Sequence, residues 1–131
     1  MIRLMTLLRL SLPPVAACLA VAAAAPAPAV AAVKTEAQAV AIVQKKLAAT
    51  PELKARVKAL KHPLIVRVEA KPGEQDGYYH VYAGENLPDH TARLWTFLVD
   101  PKTDEVKGYD PVMDETLTWK AFIAKVKAKE L

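Results

Sequence analysis

The sequence has one cysteine and a single serine, and both lie close to the amino terminus, at Cys18 and Ser11. After residue 31 the chain contains neither residue type, which excludes serine and cysteine nucleophiles and thiolate zinc sites in that part. The four glycines are isolated from one another, so there is no glycine-rich loop to cradle a phosphate. With 131 residues, the chain has room for one domain with a modest core.

The first part of the chain has the anatomy of a secretory signal peptide. Arg3 and Arg9 give it a positive start, an apolar segment follows, and Ala29-Val30-Ala31 supplies the small residues that signal peptidase requires. We therefore predict a signal peptide over 1–31 and one small domain over 32–131, located in the periplasm or secreted. Four prolines make a spanning helix unfavourable, so we expect no stable membrane span after cleavage.

A lipoprotein signal is the second interpretation of the leader. Val15-Ala16-Ala17-Cys18 fits a bacterial lipobox, in which the cysteine is lipidated and becomes the first residue. The residues after Cys18 continue the apolar run, whereas a lipoprotein usually has a polar tether there, so the soluble form is favoured. Without the leader the domain has no cysteine and depends on its core alone, as is usual in a bacterial periplasm.

The charge of the domain does not indicate a nucleic-acid partner. Two of the 18 basic residues lie in the leader, which leaves 16 basic against 14 acidic residues. This small net charge does not indicate the clustered basic stripe that is expected of a nucleic-acid-binding protein. His80 and His90, with Glu85 or Asp89, are conceivable metal ligands, but no ligand spacing such as HxH or HExxH occurs. We therefore expect no cofactor and no metal.

Two helices, or one kinked helix, are predicted at the start of the domain. Thr35 and Gln38 form a capping-box pattern, and apolar residues follow at helical spacing. Thr50-Pro51-Glu52 is a second helix start, with proline at the first helical position and an acidic residue in the first turn. His62-Pro63 ends the helical region, because the residue before a proline is disfavoured in the α conformation.

After Pro63 the apolar residues alternate with a period of two, which predicts strands. We expect a set of strands over 64–70, 78–83, 93–99 and 105–109. The segments between them contain proline or glycine and are predicted to be turns, and the polar segment 84–91 is predicted to be a loop.

A closing amphipathic helix is predicted from four apolar residues that fall on one face: Trp119, Phe122, Ile123 and Val126. The predicted fold class is therefore α+β. An amino-terminal helix, kinked or double, packs on a three- to four-stranded antiparallel meander, and the carboxy-terminal helix closes the domain. Open sheet edges would permit a dimer, so the sequence leaves the oligomeric state unknown.

Three segments carry a resemblance to a known family: the helix start at 35–41, the strand at 64–70 and the hairpin at 97–106. In these segments the chain resembles the PepSY family of small exported bacterial domains. Asp104 stands where the turn of that family usually has glycine, and the last helix lies outside the family pattern. The resemblance implies a non-catalytic module that contacts peptidases or other envelope proteins.

Two groups of residues are candidates for binding a partner. Alternation places every second residue of the strand 78–83 on the sheet face opposite the core. The candidates on that open face are of types that anchor protein interfaces: Arg67, Tyr78, His80 and Tyr82. The candidates in the predicted loop are its polar residues: Glu85, Asn86, Asp89 and His90. Inverted alternation would instead bury the tyrosines as packing residues.

The favoured function is an exported, non-catalytic binding module of the bacterial envelope that holds an envelope protein, with a peptidase as one candidate. The alternative is an inhibitor of an envelope or foreign hydrolase, a peptidase or a lysozyme, that acts through the 84–91 loop. An enzyme that uses only acid–base residues is a third hypothesis. It would require a pocket that joins His80 or His90 to a carboxylate.

Overall fold

A computed structural model describes residues 32–131, and the predicted signal peptide and lipobox lie outside this range. The described residues form three helices and five strands, so the predicted α+β class is confirmed. In chain order the elements are α1 (Glu36–Ala49), α2 (Pro51–Lys58), β1 (Leu64–Ala70), β2 (Tyr79–Asn86), β3 (Thr91–Val99), β4 (Val106–Asp110), β5 (Glu115–Leu117) and α3 (Trp119–Lys127). Among these helices, none is both long and apolar enough to cross a membrane.

The helix α1 begins where the capping box predicts. The Thr35 side chain accepts a hydrogen bond from the Gln38 backbone N–H (3.1 Å), and the Gln38 side chain accepts one from the Thr35 backbone N–H (3.1 Å). Thr50 is extended, with φ −107°, and α2 starts at the next residue, Pro51. The first helical region therefore consists of two helices separated by one extended residue.

The strands form one antiparallel sheet in the order β1-β2-β3-β4-β5. The described part of this meander has one strand more than predicted, because β5 pairs with β4. The strand β5 has three residues, and a segment of that length shows too little alternation for periodicity to predict it.

The core lies between the helices and one face of the sheet. Alternation correctly predicts the core positions of β2 and β3, which are Tyr79, Val81, Ala83, Trp95, Phe97 and Val99. The Phe97 ring centre lies 5.4 Å from that of Phe122 and 5.8 Å from that of Trp119, both in α3. Gly108 in β4 lets α3 come this close, because a Cβ at that position would overlap the Phe122 ring.

Within residues 32–131, three residues other than glycine adopt the left-handed region: Asp104, Asp114 (φ +51°, in the β4–β5 turn) and Lys129. In the β3–β4 turn Asp104 has φ +57°, and its backbone N–H donates to the Asp100 carbonyl (2.9 Å). At the end of α3 Lys129 has φ +61°. Here the Glu130 N–H donates to the Lys125 carbonyl (2.9 Å), as in a Schellman motif. Because the backbone at Asp104 is in the left-handed conformation, which glycine adopts without strain, glycine would also suit this position of the turn.

Candidate functional site

The candidate binding residues of β1 and β2 share the sheet face that the described helices leave uncovered. Arg67 lies opposite Tyr82 across β1 and β2, and Tyr82 lies opposite Thr96 across β2 and β3. His80 lies on the same face, opposite Leu98. Tyr78 precedes β2, and its ring lies 5.6 Å from Lys107 Nζ at the end of this face.

Tyr82 is on the predicted face but is not exposed to solvent. Its residue exposure is 3%, because the guanidinium carbons of Arg67 and Arg93 lie 4.7 and 4.5 Å from its ring centre. A Cβ on Gly84 would lie 2.5 Å from Tyr82 Oη, so the phenol extends over that glycine. Within residues 32–131, Tyr82 Oη has no hydrogen-bond partner. The expectation of an exposed anchor is wrong for Tyr82, which forms the floor of the face.

Arg93 is held in place by Glu69 of β1. Its guanidinium donates two hydrogen bonds to the Glu69 carboxylate, at 2.6 and 2.9 Å, and a third to Thr96 Oγ1 at 2.7 Å. The hydrogen bond from Arg93 lowers the pKa of Glu69, although partial burial acts in the opposite direction. The ring of Tyr82 therefore lies against a guanidinium whose position is fixed by its own ion pair.

A β-bulge in β3 brings Arg93 to the uncovered face, where alternation from Arg67 already places Glu69 of β1. In β1 the register shifts between Val68 and Ala70, which leaves Glu69 as the extra residue. In β3 the register shift opposite Ala83 and Gly84 leaves Leu94 as the extra residue. Strict alternation along β3 would place Arg93 on the core face, so sequence reasoning missed this site residue.

His80 is paired with a carboxylate from the β1–β2 loop. Its Nε2 lies 2.9 and 3.0 Å from the two oxygens of Asp76, which also accepts a hydrogen bond from the Tyr78 N–H (2.9 Å). Burial acts to raise the pKa of Asp76, but the hydrogen bonds from Tyr78 and His80 lower it overall. An imidazole fixed by a carboxylate is one of the arrangements used for proton transfer, and it is also a rigid polar contact for a partner.

The predicted loop over 84–91 is shorter in the structure. Because β2 runs to Asn86 and β3 begins at Thr91, the connection consists of residues 87–90. Glu85 is a strand residue whose carboxylate accepts hydrogen bonds from the backbone N–H groups of Lys61 (3.1 Å) and His62 (2.9 Å). It anchors the segment between α2 and β1, a long-range contact that its sequence neighbours do not indicate.

Of the remaining loop candidates, Asn86 is the exposed last residue of β2, opposite Thr91. Asp89 and His90 are exposed and contact each other, with His90 Nδ1 at 2.7 Å from Asp89 Oδ1. His80 and His90 therefore have different carboxylate partners, Asp76 and Asp89. Over residues 32–131, no group of three or more His, Cys, Asp or Glu side chains is placed to hold a metal ion.

The uncovered face contains a groove of about 610 Å³. Its floor includes His80, Arg93 and Thr96, and its wall includes Tyr109 and the β4–β5 turn. In that wall the Tyr109 hydroxyl donates to the Asp114 carboxylate, which raises the pKa of Tyr109.

Apolar side chains stand at the rim of this groove. Val112 lines it and is 80% exposed, and the next residue, Met113, is 62% exposed. Their turn is nevertheless well defined, because the buried Asp110 carboxylate accepts hydrogen bonds from both backbone N–H groups, at 2.9 and 3.2 Å. The sequence gives no periodic signal for this turn, and sequence reasoning did not include it in the candidate site.

Comparisons of the chain with protein-family models, with curated proteins and with solved structures found no match. The PepSY resemblance therefore stays a prediction from three short sequence segments. The candidate site is defined by the geometry of the uncovered face and its groove.

Proposed function

We propose that the protein is a non-catalytic binding module of the bacterial envelope, as the PepSY resemblance implies, and that its groove holds a protein partner. A periplasmic or secreted location and an envelope protein as partner, with a peptidase as one candidate, belong to the same proposal. The supporting observation is the groove of about 610 Å³ on the uncovered sheet face. Arginine, tyrosine and histidine side chains surround it, and the first two are enriched at the centres of protein interfaces.

The side chains of the groove are held in place before any partner binds. Glu69 fixes Arg93 through two hydrogen bonds, and Asp76 fixes His80. Side chains that are already ordered lose less conformational entropy on association, so more of the contact energy contributes to affinity. This arrangement favours recognition by a fixed surface.

The rim adds apolar area to this polar floor. Val112 and Met113 are the large apolar residues that stand out as exposed in the described part of the chain. An apolar side chain that a fixed turn holds in solvent is a suitable contact for a partner, since burial gains about 25 cal/mol per Å².

Crosslinking of the exported protein in its own envelope tests this proposal. The wild type is compared with Val112→Glu/Met113→Glu, which changes the rim without touching the core, and with Lys120→Glu on the exposed side of α3 as the control. We expect wild type and control to capture the same envelope protein and the rim variant to lose it. Equal capture by all three proteins would show that the groove is not the binding site.

Inhibition of a hydrolase through the 84–91 segment has less support from the geometry. An inhibitory loop needs to protrude, but the connection between β2 and β3 has four residues, and Glu85 is engaged with the backbone at Lys61 and His62. Replacement of Asp89 and His90 by alanine distinguishes the two functions. Capture of a hydrolase that depends on these two residues, and not on the rim, would favour the inhibitor.

A further inference from the structure

The strands β3 and β4 are paired over only part of their length. β2 pairs with β3 from Thr91 to Val99, whereas β4 pairs only with the last three residues of β3, from Phe97 to Val99. Within residues 32–131, the segment 91–96 therefore has a strand neighbour on one side and none on the other. This unpaired side of residues 91–96 faces β4, so it lies within the sheet and not at its outer edge. The two strands pair with each other further along, from Phe97 to Val99 of β3.

The strand β4 diverges from β3 after Gly108, and the groove occupies the space that opens. Tyr109 and Asp110 pair with β5 instead of β3, and Pro111 then starts the turn. Leu94 and Thr96 of β3 line one side of the groove, and Tyr109, Pro111 and Val112 line the other. The two strands thus form a wedge that is open at the free half of β3.

The free half of β3 offers backbone hydrogen-bonding groups to this wedge. In an antiparallel ladder, successive residues direct their N–H and C=O groups to opposite sides of the strand. The Asp100 N–H donates to the Glu105 carbonyl across the β3–β4 turn (2.9 Å), so Leu98 and Thr96 direct theirs to the same side. Leu98 pairs with Lys107, but Thr96 has no partner in β4, and its backbone groups face the wedge.

The outer edge of β1 is a poorer place for a further strand. The bulge at Glu69 interrupts its regular hydrogen-bond pattern, and Pro72 follows soon after the end of the strand. Bulges and prolines are common means of blocking addition at an edge. The free half of β3 also contains a bulge, at Leu94, but it has no proline, and Thr96 lies on the regular part of the strand next to the paired residues Phe97 and Leu98.

Charge in the groove indicates the kind of segment that fits. The groove is lined by four carboxylates, by the Arg93 guanidinium and by the His80 imidazole that Asp76 holds; the carboxylates are those of Glu69, Asp76, Asp114 and Glu130. Because Glu69 and Arg93 neutralise each other, acidic charge is in excess. A strand in the wedge would direct alternate side chains toward these carboxylates and toward the apolar Leu94 and Val112.

We propose that an extended segment of a partner protein, with basic residues alternating with apolar ones, adds as a strand to residues 91–96 of β3. Backbone hydrogen bonds to Thr96 give the affinity, and the acidic groove selects lysine or arginine at every second position. This inference rests on the proposed function, since it names the segment that the binding module holds.

The test uses the exported protein and a synthetic seven-residue peptide of alternating valine and lysine with blocked ends. The comparison peptides carry glutamate in place of lysine, N-methyl groups on the valines, or N-methyl groups on the lysines. Only one of the two alternating sets of N–H groups faces β3. We therefore expect one N-methylated peptide to lose binding at least tenfold relative to the other, and the glutamate peptide to bind at least tenfold more weakly than the parent. Equal binding by both N-methylated peptides would overturn strand addition.

Hydrogen exchange and two variants locate the peptide. The Thr96 amide is expected to exchange at least tenfold more slowly when the valine–lysine peptide is saturating. Asp76→Asn/Asp114→Asn should weaken binding at least fivefold, whereas Asp89→Asn, on the exposed 87–90 connection, should not change it. If the rim-dependent partner is captured but Thr96 exchange stays unchanged, strand addition is wrong and the binding module stands. If the peptide binds and no envelope protein is captured, the proposed function is the part that fails.

Discussion

The guanidinium carbon of Arg93 lies 4.5 Å from the ring centre of Tyr82, on a sheet face that the described helices leave uncovered. The ring is buried, and its hydroxyl has no hydrogen-bond partner within residues 32–131. An unpaired buried hydroxyl costs free energy, so Tyr82→Phe is expected to leave the free energy of unfolding unchanged or to raise it by up to about 1 kcal/mol. Urea unfolding monitored by circular dichroism measures this change.

Removal of the whole ring has the opposite effect. Tyr82→Ala leaves a cavity between the two arginines, and we expect a loss of about 3 kcal/mol. A loss above about 1 kcal/mol in Tyr82→Phe itself would show that the hydroxyl is satisfied in solution.

The contact of Gly108 with Phe122 fixes how close α3 comes to the sheet. A methyl group at residue 108 would overlap the Phe122 ring, so Gly108→Ala is expected to destabilise the domain by about 1 to 3 kcal/mol. Gly77→Ala is the matched control, because a Cβ there meets nothing within 4 Å, and we expect a change within about 0.5 kcal/mol. Thermal unfolding of both variants decides the point, and equal melting temperatures would contradict the close approach of α3.

Much of the fold is predictable from local sequence. The capping box at Thr35 and Gln38 gives the start of α1, and alternation after Pro63 gives β1 with the bounds that the structure shows, Leu64–Ala70. The strand β5 and the extension of β2 to Asn86 were not predicted. Both depend on pairing with a neighbouring strand, and a short or polar segment carries no periodic signal of such pairing.

The candidate site is less predictable, for two physical reasons. Alternation correctly placed Arg67, His80 and Tyr82 on one face, but the bulge in β3 brings Arg93 to the same face, where it pairs with Glu69 and covers Tyr82. A bulge changes the sheet face on which the residues beyond it lie, and the amino-acid composition of the strand does not predict where a bulge occurs. The groove itself arises because β4 diverges from β3. This divergence depends on how the two strands pair, and the sequence of either strand alone does not predict it.

The ion pair between Glu69 and Arg93 makes stability depend on pH. Its hydrogen bond lowers the pKa of Glu69 from the usual value of 4.5, so the native state favours the ionised carboxylate relative to the unfolded chain. The stabilisation is fully present above the unfolded value and is lost as the pH falls through the lower, native value. For this partly exposed pair we expect Glu69→Gln to cost about 0.5 to 1 kcal/mol at about pH 7.

The pH profile of unfolding separates this contribution from simple packing. The difference between wild type and Glu69→Gln is expected to shrink toward zero as the pH falls through the lowered, native pKa of Glu69. Glu105→Gln, on the exposed β3–β4 turn, serves as the control for acid sensitivity in general and should show little difference at any pH. A constant difference between Glu69→Gln and wild type across the whole range would contradict the ion pair as the cause.

Asp104 adopts φ +57° in the β3–β4 turn, where a Cβ causes strain that glycine does not have. Asp104→Gly is therefore expected to raise the free energy of unfolding by up to about 1 kcal/mol, because relief of the strain outweighs the added freedom of the unfolded chain. Lys102→Gly lies in the same turn without a positive φ, so only the entropic cost remains, and we expect a loss of about 0.5 to 1 kcal/mol. Thermal unfolding of the two variants gives opposite signs if the left-handed conformation is maintained in solution, whereas equal losses would show that it is not.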